Sequence, residues 1–488
     1  MVGIVAFGGY VPRLRLQRQA VHAANSWFAP GLGGLAKGER AIGAWDEDTI
    51  TMAVEAARDC LAQRDRGIVQ RLSLASTTLP NADRQNSTVV KEALNLSDDV
   101  AAMDVSGSQR AGTSSLLEAL YAVGGGAGNT LCIASEHLIA RPASETELTS
   151  AHAAGAMLVG TDNLAARFLG GHSVTIDFVD HFRASDQQFD YGWEQRWVRD
   201  EAYGKIVPKT IAKALAKCGI TAKDVKHFIL ASPLKGVNAT VAKSCGFAPE
   251  SVTDVLADKL GDAGPAQAFV LLSHVLERAA PKEKIVLVSF GGGCDVLCFE
   301  TTDAVAQGRP ATGVTGMLAD RKPEACYTRY LAQVGLLDID RGMRAELDQK
   351  PVLTALYRER KTVLGLVGGR CTQTGIVQFP KSIISVAHNA RTVNTQEDYP
   401  LAERKARILS YTADNLTYSP DPPGYYGGIE FEGGGRLTTD FVDLDDGGVE
   451  VGMPVRMVFR IKAVDERRGF TKYFWKAVPD RRSTKASA

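Results

Sequence analysis

The chain of 488 residues has no excess of charge, because 56 lysine and arginine side chains balance 56 aspartate and glutamate side chains. A net charge of zero gives no support to nucleic-acid binding through bulk charge. No apolar run approaches the roughly 18 residues of a transmembrane helix. The N-terminal stretch MVGIVAFGGYVPRLRL lacks the basic start and the cleavage site of a signal peptide, so we interpret it as a first strand. We therefore expect neither nucleic acid nor membrane as a partner.

Cysteine is scarce, and its spacing excludes one common use. The eight cysteines are scattered and none forms a C-x-x-C pair, so the spacing of a zinc ribbon is absent. Scattered thiols in a long chain are typical of a reducing compartment, and we expect a cytoplasmic protein.

What is present points to an α/β architecture. Through residues 1–300, short apolar runs typical of strands alternate with helical patterns, as in layered α/β folds. The stretches GNTLCIASE and KEKIVLVSF each follow a helix and lead into a loop, which hints at an internal duplication. Predicted strands are Gly3–Phe7, Leu72–Ala75, Leu131–Ala134, Ala156–Val159, His227–Ala231 and Ile285–Ser289, and predicted helices include Asp48–Gln63, Ser114–Gly124, Tyr203–Cys218 and Ala266–Ala280.

The periodicity changes after residue 301. Residues 302–324 gain glycine and proline and are predicted to form a linker. A helical stretch follows to about residue 360, and then short alternating strands with glycine turns indicate a small barrel. The polar end, residues 481–488, is expected to be a disordered tail.

One turn is a candidate active site. The stretch DVSGSQRAGT, residues 104–113, ends an apolar run and opens a helical one. A tight turn of small residues before a helix suits a nucleophile, yet its apex carries Gln109. A glutamine side chain supplies one acceptor and two donors but is not a useful nucleophile.

Several segments resemble a known family. MVGIVAFGGYVPRLRL, AWDEDTITMAVEAARDCL, DVSGSQRAGTSSLLEAL and IVLVSFGGGCDVLCFE look like the opening, the nucleophile turn and the closing glycine loop of archaeal-type hydroxymethylglutaryl-CoA synthases of the thiolase superfamily. Residues 325–480, with DLDDGGVEVGMPVRMVFR, resemble the zinc-ribbon/OB-fold partner proteins of thiolase-like enzymes.

The resemblance implies a five-layered α/β/α/β/α thiolase fold joined to a C-terminal OB-fold β-barrel. It divides the chain into an N-terminal half at 1–165, a C-terminal half at 166–301, the linker 302–324, a helical segment with the OB domain at 325–480, and the tail 481–488. It also implies a homodimer formed through the thiolase fold.

All four positions that carry the chemistry in that family differ here. The resemblance places the family's cysteine at Gln109, its histidine at Ala231, its asparagine at Asp262 and its glutamate at Thr77. An acyl-enzyme at Gln109 is excluded, because a carboxamide is not usefully acylated. We therefore expect no standard hydroxymethylglutaryl-CoA synthase activity.

The zinc positions of the partner proteins differ as well. Their two C-x-x-C knuckles fall on CTQT and VAHNA, which leaves Cys371 opposite Thr374, and Ala387 and Ala390 around His388. One thiol and one imidazole do not complete a four-ligand tetrahedral site, so we expect no structural zinc.

Gln109 has two interpretations. It is either a relic of a site that has lost its chemistry, or its amide holds an enolate thioester, as glutamine does in some decarboxylating ketosynthase domains. Some thiolase-like aldolases with an OB partner have also lost the nucleophile. A retro-aldol step needs only a base for the β-hydroxyl and donors for the developing enolate.

Several residues are candidates for the acid, the base or a relocated nucleophile, and each also has a structural interpretation. Asp262 is either a base with a raised pKa or a helix cap, and His152 is either a titrating group or a hydrogen-bonded core histidine. Cys294 is either a displaced nucleophile or a small buried hydrophobe. Tyr191 and Tyr203 flank a segment that covers the substrate in relatives, and either donates a proton or packs.

Coenzyme A requires cations for its phosphates. Lys235 and Arg110 are candidates, although each is also typical of a solvated surface. Our leading hypothesis is an enzyme that makes or breaks a C–C bond in an acyl-CoA or β-keto acid, by aldol, retro-aldol or Claisen-type chemistry, with a coenzyme A thioester as substrate and no metal. The alternative is a catalytically inactive thiolase-like subunit that scaffolds an active partner.

Overall fold

The computed structural model describes residues 1–343, 350–387 and 392–481. The chain forms two compact units. The first contains Met1–Gly43, Asp48–Lys91 and Leu96–Val334, and the second contains Ala44–Glu47, Glu92–Asn95 and Gly335–Ala488.

The first unit is an α/β structure. Its strands are β1 (Gly3–Tyr10), β2 (Leu14–Gln17), β3 (Glu39–Ile42), β4 (Arg71–Ala75), β5 (Ala101–Val105), β6 (Thr130–His137), β7 (His152–Gly160), β8 (Ala166–Thr175), β9 (His181–Phe182), β10 (Tyr191–Gly192), β11 (Val225–Ala231), β12 (Lys284–Phe290), β13 (Gly293–Thr301) and β14 (Lys322–Glu324). Its helices are α1 (Arg18–Asn25), α2 (Thr49–Leu61), α3 (Asn86–Ala93), α4 (Ala111–Gly124), α5 (Glu145–Thr149), α6 (Gln195–Trp197), α7 (Val207–Cys218), α8 (Val237–Cys245), α9 (Gln267–Leu276), α10 (Gly313–Ala319) and α11 (Tyr327–Gln333). A π-helical stretch, Val198–Ile206, joins α6 to α7.

Nine strands form one mixed sheet in the order β11-β12-β13-β8-β1-β7-β6-β4-β5. The stretches that hint at a duplication are β6 and β12. Each has a parallel neighbour on one side, β4 or β11, and an antiparallel neighbour on the other, β7 or β13. The two ends of the sheet therefore repeat one pairing pattern, as a duplication predicts.

Helices cover the sheet because their apolar faces must be buried. Every residue of α9 is buried, and this helix packs against α4 and against β1, β7 and β11. The helix α2 begins at a capping box in which Asp48 Oδ1 accepts the backbone N–H of Thr51 at 2.9 Å. It lies close to β1 at Gly8, where a Cβ would meet the backbone nitrogen of Cys60 at 2.3 Å.

Residues 302–324, predicted to be a linker, are structured. They hold the short 3₁₀ helix Val305–Gly308, the helix α10 and the strand β14, which pairs in parallel with β2. The first unit continues to Val334. Glycine and proline in this segment form turns between short elements. The division of residues 1–301 into halves at 165 stays a prediction.

The second unit is rich in strands, as the alternation predicts. Its elements are the helices α12 (Leu353–Arg358) and α13 (Arg360–Val363) and the strands β15 (Val367–Cys371), β16 (Val377–Gln378), β17 (Gln396–Pro400), β18 (Ala406–Asp414), β19 (Gly424–Phe431), β20 (Arg436–Asp440), β21 (Pro454–Asp465) and β22 (Phe470–Pro479). Five strands form a sheet in the order β20-β19-β18-β21-β22, and three form another in the order β16-β15-β17.

Buried charges stabilise this unit only because they are paired. Lys476 Nζ lies 2.8 Å from Asp46 Oδ2, and Arg460 lies 3.0 Å from Glu47, with all four side chains buried. Lys476 also lies 4.1 Å from the centre of the Trp45 ring, close enough for a cation–π contact. The predicted tail falls outside the described residues except for Arg481.

Candidate functional site

The first unit holds Gln109 in the tight turn between β5 and α4. Ser108 Oγ donates to the backbone oxygen of Gly291 at 2.7 Å and fixes this turn against the loop between β12 and β13. A Cβ on Gly291 would lie 2.9 Å from the backbone nitrogen of Gln109, so a glycine is required for this approach. Gln109 therefore lies in a tight turn between a strand and a helix, as the sequence predicts.

The side chain of Gln109 contacts a histidine that the sequence interpretation missed. Gln109 Nε2 lies 3.0 Å from Nε2 of His181 on β9. The other ring nitrogen of His181, Nδ1, lies 3.2 Å from Asp180 Oδ1. This network assigns the imidazole proton to Nδ1, facing Asp180, and leaves the Nε2 lone pair to accept from the amide of Gln109.

The charges around His181 favour its protonated form. Burial alone would lower the pKa of His181, but the hydrogen bond to Asp180 and the negative charges of Asp180, Asp190 and Asp262 outweigh it and raise this pKa. A carboxylate behind an imidazole orients the ring and stabilises its protonated form.

Asp262 lies near the same histidine. Burial raises the pKa of Asp262 to about 6, although the Gly264 backbone N–H and the charge of His181 act in the opposite direction. Gly264 contacts the glutamine as well: its φ is +50°, and a Cβ there would lie 2.5 Å from Gln109 Oε1. A side chain at 264 would displace the amide of Gln109.

Two more buried groups border this cluster. Tyr203 packs its ring 5.5 Å from that of Phe290, and burial raises the pKa of its hydroxyl, which shares a hydrogen bond with Ser232 and lies in the field of Asp262. Glu136 is buried, and burial raises its pKa.

Glu136 contacts Thr77, the residue at which the family resemblance places the family's glutamate. Its carboxylate accepts the backbone N–H of Thr77 at 2.9 Å and the Thr77 hydroxyl at 2.9 Å. A Cβ on Gly264 would also lie 3.6 Å from Cγ of Glu136, so this carboxylate borders Gln109 from the side of Gly264.

The structure does not bring every predicted residue to this cluster. His152 is fully buried, with Nδ1 accepting the backbone N–H of Gly43 at 2.8 Å and Nε2 donating to the Leu138 oxygen at 3.0 Å. Its ring centre lies 3.9 Å from that of His137, and burial holds the pKa of His152 well below its usual value. These contacts describe a hydrogen-bonded core histidine.

Cys294 packs in the core, and Arg110 is held by an ion pair and hydrogen bonds. Cys294 is fully buried in an apolar cluster, and burial raises the pKa of its thiol far above the ordinary range. Arg110 lies 2.8 Å from Asp295 and also donates to the backbone oxygen of Gly291 at 3.0 Å and to Thr175 Oγ1 at 3.0 Å. Lys235 is exposed in the loop after β11.

Tyr191 belongs to an aromatic cavity of about 340 Å³ on the hairpin β9–β10. The cavity is lined by Val179, His181, Phe182, Tyr191, Trp193 and Trp197. Tyr191 pairs with Phe182 on the adjacent strand, their ring centres 5.6 Å apart. His181 therefore faces both Gln109 and this cavity.

The sequence did carry a signal for the missed dyad. Asp180 and His181 precede FRASDQQFDYGWEQRW, a stretch rich in aromatic and charged residues with no strong periodicity. Such a stretch is typical of a loop that carries function. A hairpin with two-residue strands gives no recognisable alternation, so its position over Gln109 was not predictable.

In the second unit, Cys371 stands without a second thiol. Its Sγ lies 3.1 Å from Thr395 Oγ1, and hydrogen bonds from Thr374 and Thr395 lower its pKa to about 6. Ala387 is described, whereas His388 and Ala390 lie outside the described residues. Among residues 1–343, 350–387 and 392–481, no group of three histidine, cysteine or acidic side chains is arranged to hold a metal ion. Within the same described residues, none of the helices has the length and apolar character needed to span a membrane.

Comparisons with known proteins identify the folds of both parts. Residues 215–299 match the model of the 3-oxoacyl-[acyl-carrier-protein] synthase III C terminal, and residues 399–460 match the ChsH2 C-terminal OB-fold domain. The hydroxymethylglutaryl-CoA synthase of Thermococcus onnurineus is 28% identical over 338 residues, which cover 67% of this chain and 95% of that protein.

Solved structures agree with these matches. A crystal structure of HMG-CoA synthase complexed with CoA superposes with a TM-score of 0.61 at 16% identity, covering 72% of this chain and 94% of that chain. The 3-oxoacyl-[acyl-carrier-protein] synthase III of Aquifex aeolicus gives a TM-score of 0.55 at 18% identity, covering 62% of this chain and all of that one. The chain thus carries a thiolase-like α/β fold similar to hydroxymethylglutaryl-CoA synthase, followed by an OB-fold domain of the ChsH2 type, and the predicted fold class is confirmed.

Proposed function

We propose that this protein is an acyl-CoA enzyme that makes or breaks a C–C bond next to the thioester carbonyl, with no acyl-enzyme at Gln109. The observation that carries the proposal is the contact of 3.0 Å between the Gln109 amide and Nε2 of His181, whose other nitrogen faces Asp180. In this proposal a hydrogen-bond donor, the Gln109 amide, stands next to a base, His181, at the turn where related condensing enzymes carry a nucleophile.

The step that fits these groups is a retro-aldol cleavage of a β-hydroxyacyl-CoA or its reverse. The β-hydroxyl of the substrate takes the place of the Gln109 amide at the lone pair of His181 Nε2, which accepts the hydroxyl proton. The β-carbon becomes a carbonyl, and the bond between the α- and β-carbons breaks. The electron pair of that bond moves into the thioester enolate, whose oxygen the Gln109 amide holds by hydrogen bonds. A proton then returns to the α-carbon.

Asp262 is our candidate for this second proton transfer. Its pKa of about 6 lets the carboxyl group carry a proton at neutral pH for part of the time and release it readily. Tyr203, with its pKa raised, stays protonated and acts as a hydrogen-bond donor beside Asp262. Tyr191 lines the aromatic cavity and does not move a proton in this proposal.

The substrate class in our proposal is inferred from proteins that share the fold. Synthases of the hydroxymethylglutaryl-CoA type share the fold, which supports an acyl-CoA substrate, and Lys235 is our candidate for a phosphate contact. Arg110 is less suited to that role, because its guanidinium already binds Asp295. We further propose a cytoplasmic homodimer that has no metal and does not bind nucleic acid, and that lacks standard hydroxymethylglutaryl-CoA synthase activity.

The test is to incubate the purified chain with panels of β-hydroxyacyl-CoA, acyl-CoA and β-keto acid compounds and to follow the products by mass spectrometry. We expect cleavage or condensation products that His181→Ala and Gln109→Ala reduce strongly. The matched control is His227→Ala, because His227 Nε2 forms another histidine–carboxylate pair, 2.8 Å from Glu283 Oε2.

Two results would contradict the proposal. One is a turnover rate in His181→Ala that equals the rate in the control variant His227→Ala. The other is the absence of any product from every compound class, which would favour the scaffolding subunit instead.

A further inference from the structure

The aromatic cavity beside His181 has a lining that the proposed chemistry does not require. Phe182, Tyr191 and Trp193 each expose more than half of their surface, at 54%, 57% and 58%, and Trp197 exposes 37%. Removing large aromatic side chains from water is favourable, because it lowers the free energy. Three such side chains more than half exposed and a fourth partly exposed around one concave surface indicate a site that a ligand covers.

The arrangement of these rings selects a shape. The ring centres of Phe182 and Tyr191 are 5.6 Å apart, and those of Tyr191 and Trp193 are 6.5 Å apart, with tilts of 46° and 44°. Trp197 stacks on Phe178 at 4.2 Å with only 5° between the planes, which holds its indole in place. Fixed aromatic faces attract flat, rigid groups more than flexible chains, because a rigid group loses little conformational freedom on binding.

The size of the cavity and its position decide which part of a substrate it holds. A volume of about 340 Å³ is at the lower end of the roughly 300–1,000 Å³ typical of ligand sites, too small for an entire acyl-CoA. His181 lines the cavity and contacts Gln109, so a group in the cavity ends at the proposed reacting atoms. The coenzyme A portion therefore lies outside it.

We propose that the aromatic cavity, lined by Val179, His181, Phe182, Tyr191, Trp193 and Trp197, binds a flat, apolar ring system carried by the acyl group or by its carbonyl co-substrate. The inference rests on the proposed function for the identity of the reacting end. It adds the class of substrate: an aromatic or fused-ring compound in preference to a straight aliphatic chain or a short polar acid.

The test uses two coenzyme A thioethers, which lack the thioester carbonyl and do not react. Naphthylmethyl-CoA carries a flat ring system, and undecyl-CoA carries a straight chain with the same number of carbon atoms. We expect the full-length protein to bind the first about tenfold or more tightly than the second, as measured by isothermal titration calorimetry.

The decisive variant is Trp193→Leu, which keeps an apolar side chain but removes the flat face. It is expected to weaken naphthylmethyl-CoA binding by about three- to tenfold and to change undecyl-CoA binding by less than twofold. The matched control is Trp27→Leu, because Trp27 is 84% exposed and outside the cavity lining. The control variant should bind both thioethers as the wild type does.

Three results would overturn the inference. These are equal affinities for the two thioethers, no loss in Trp193→Leu, and a change of oligomeric mass in Trp193→Leu, which would make the cavity a contact between copies of the chain. The failure of this inference can be told apart from the failure of the proposed function. Selective binding without any turnover would support the binding role of the cavity and reject the reaction. Turnover of straight-chain substrates without selective binding would support the reaction and reject the binding role of the cavity.

Discussion

Replacing Gly264 by alanine should damage the site without changing any charged group. The new Cβ would lie 2.5 Å from Gln109 Oε1, whereas an ordinary contact needs roughly 3.5 Å. The amide of Gln109 must therefore move by about 1 Å from the position in which it contacts His181 at 3.0 Å. Weakening the hydrogen bond by which this amide is proposed to hold the enolate oxygen costs about 1–3 kcal/mol, so we expect turnover to fall about fivefold to more than a hundredfold.

The backbone at this position adds a separate effect on stability. Gly264 has a φ of +50°, and an alanine in that left-handed region costs about 1–2 kcal/mol. Gly219 is the matched control, since its φ is +64° and a Cβ there would meet no atom within 4 Å. Gly219→Ala should lose similar stability in a thermal melt but keep its turnover.

The assay compares the two variants on the substrate that the mass-spectrometric panel identifies. Single-turnover rates separate the bond-breaking step from product release. Turnover of Gly264→Ala within about twofold of Gly219→Ala would refute the reasoning, because it would show that the position of the Gln109 amide does not affect the reaction. Gln109 would then be a relic.

Further predictions concern ionisation, metal and covalent chemistry. Asp180→Asn should lower the pKa of His181 relative to the wild type in an NMR titration, because burial is then opposed by fewer negative charges; an unchanged pKa would reject the dyad. The fold holds the Asp262 proton more tightly than the unfolded chain does, so this contribution to stability is complete at acidic pH and is lost as the pH rises past about 6; Asp262→Asn should therefore raise the melting temperature relative to the wild type at pH 8 but not at pH 4. Metal analysis should find much less than one zinc per chain, since Cys371 has no second thiol, and stoichiometric zinc would show that our reading of the knuckles is wrong. Incubation with acyl-CoA should leave no stable acyl mass on the peptide that contains Cys294, whose thiol is buried and protonated; an adduct there would reveal a relocated nucleophile.

Much of the fold was predictable because it depends on periodicity. The predicted strand Gly3–Phe7 lies within β1, and the predicted helix Ser114–Gly124 lies within α4, since alternating or helical burial of apolar residues is visible in one sequence. Residues 302–324 were harder, because α10 and β14 are short and glycine-rich, so local composition resembles a linker.

The site was predictable only in part. Gln109 lies in the predicted turn between β5 and α4, and Asp262 lies just before the 3₁₀ helix Gly264–Ala266. The family positions assigned to both residues stay predictions. His181 could not be placed, because its contact with Gln109 joins positions 72 residues apart through a hairpin without periodicity. The inward contacts of His152 also depend on a partner from a distant segment, the backbone N–H of Gly43, which local sequence does not specify.

The position of His181 on the hairpin β9–β10 affects how such a protein can evolve. Its imidazole is carried on a pair of two-residue strands whose Phe182 and Tyr191 are more than half exposed, rather than on the sheet that forms the core. Substitutions at exposed positions usually shift stability by no more than about 0.5 kcal/mol, whereas those in a packed core destabilise by several times as much. If His181 transfers the proton and the aromatic cavity selects the substrate, as we propose, both can be exchanged together by mutation of one short segment while the rest of the fold is left intact.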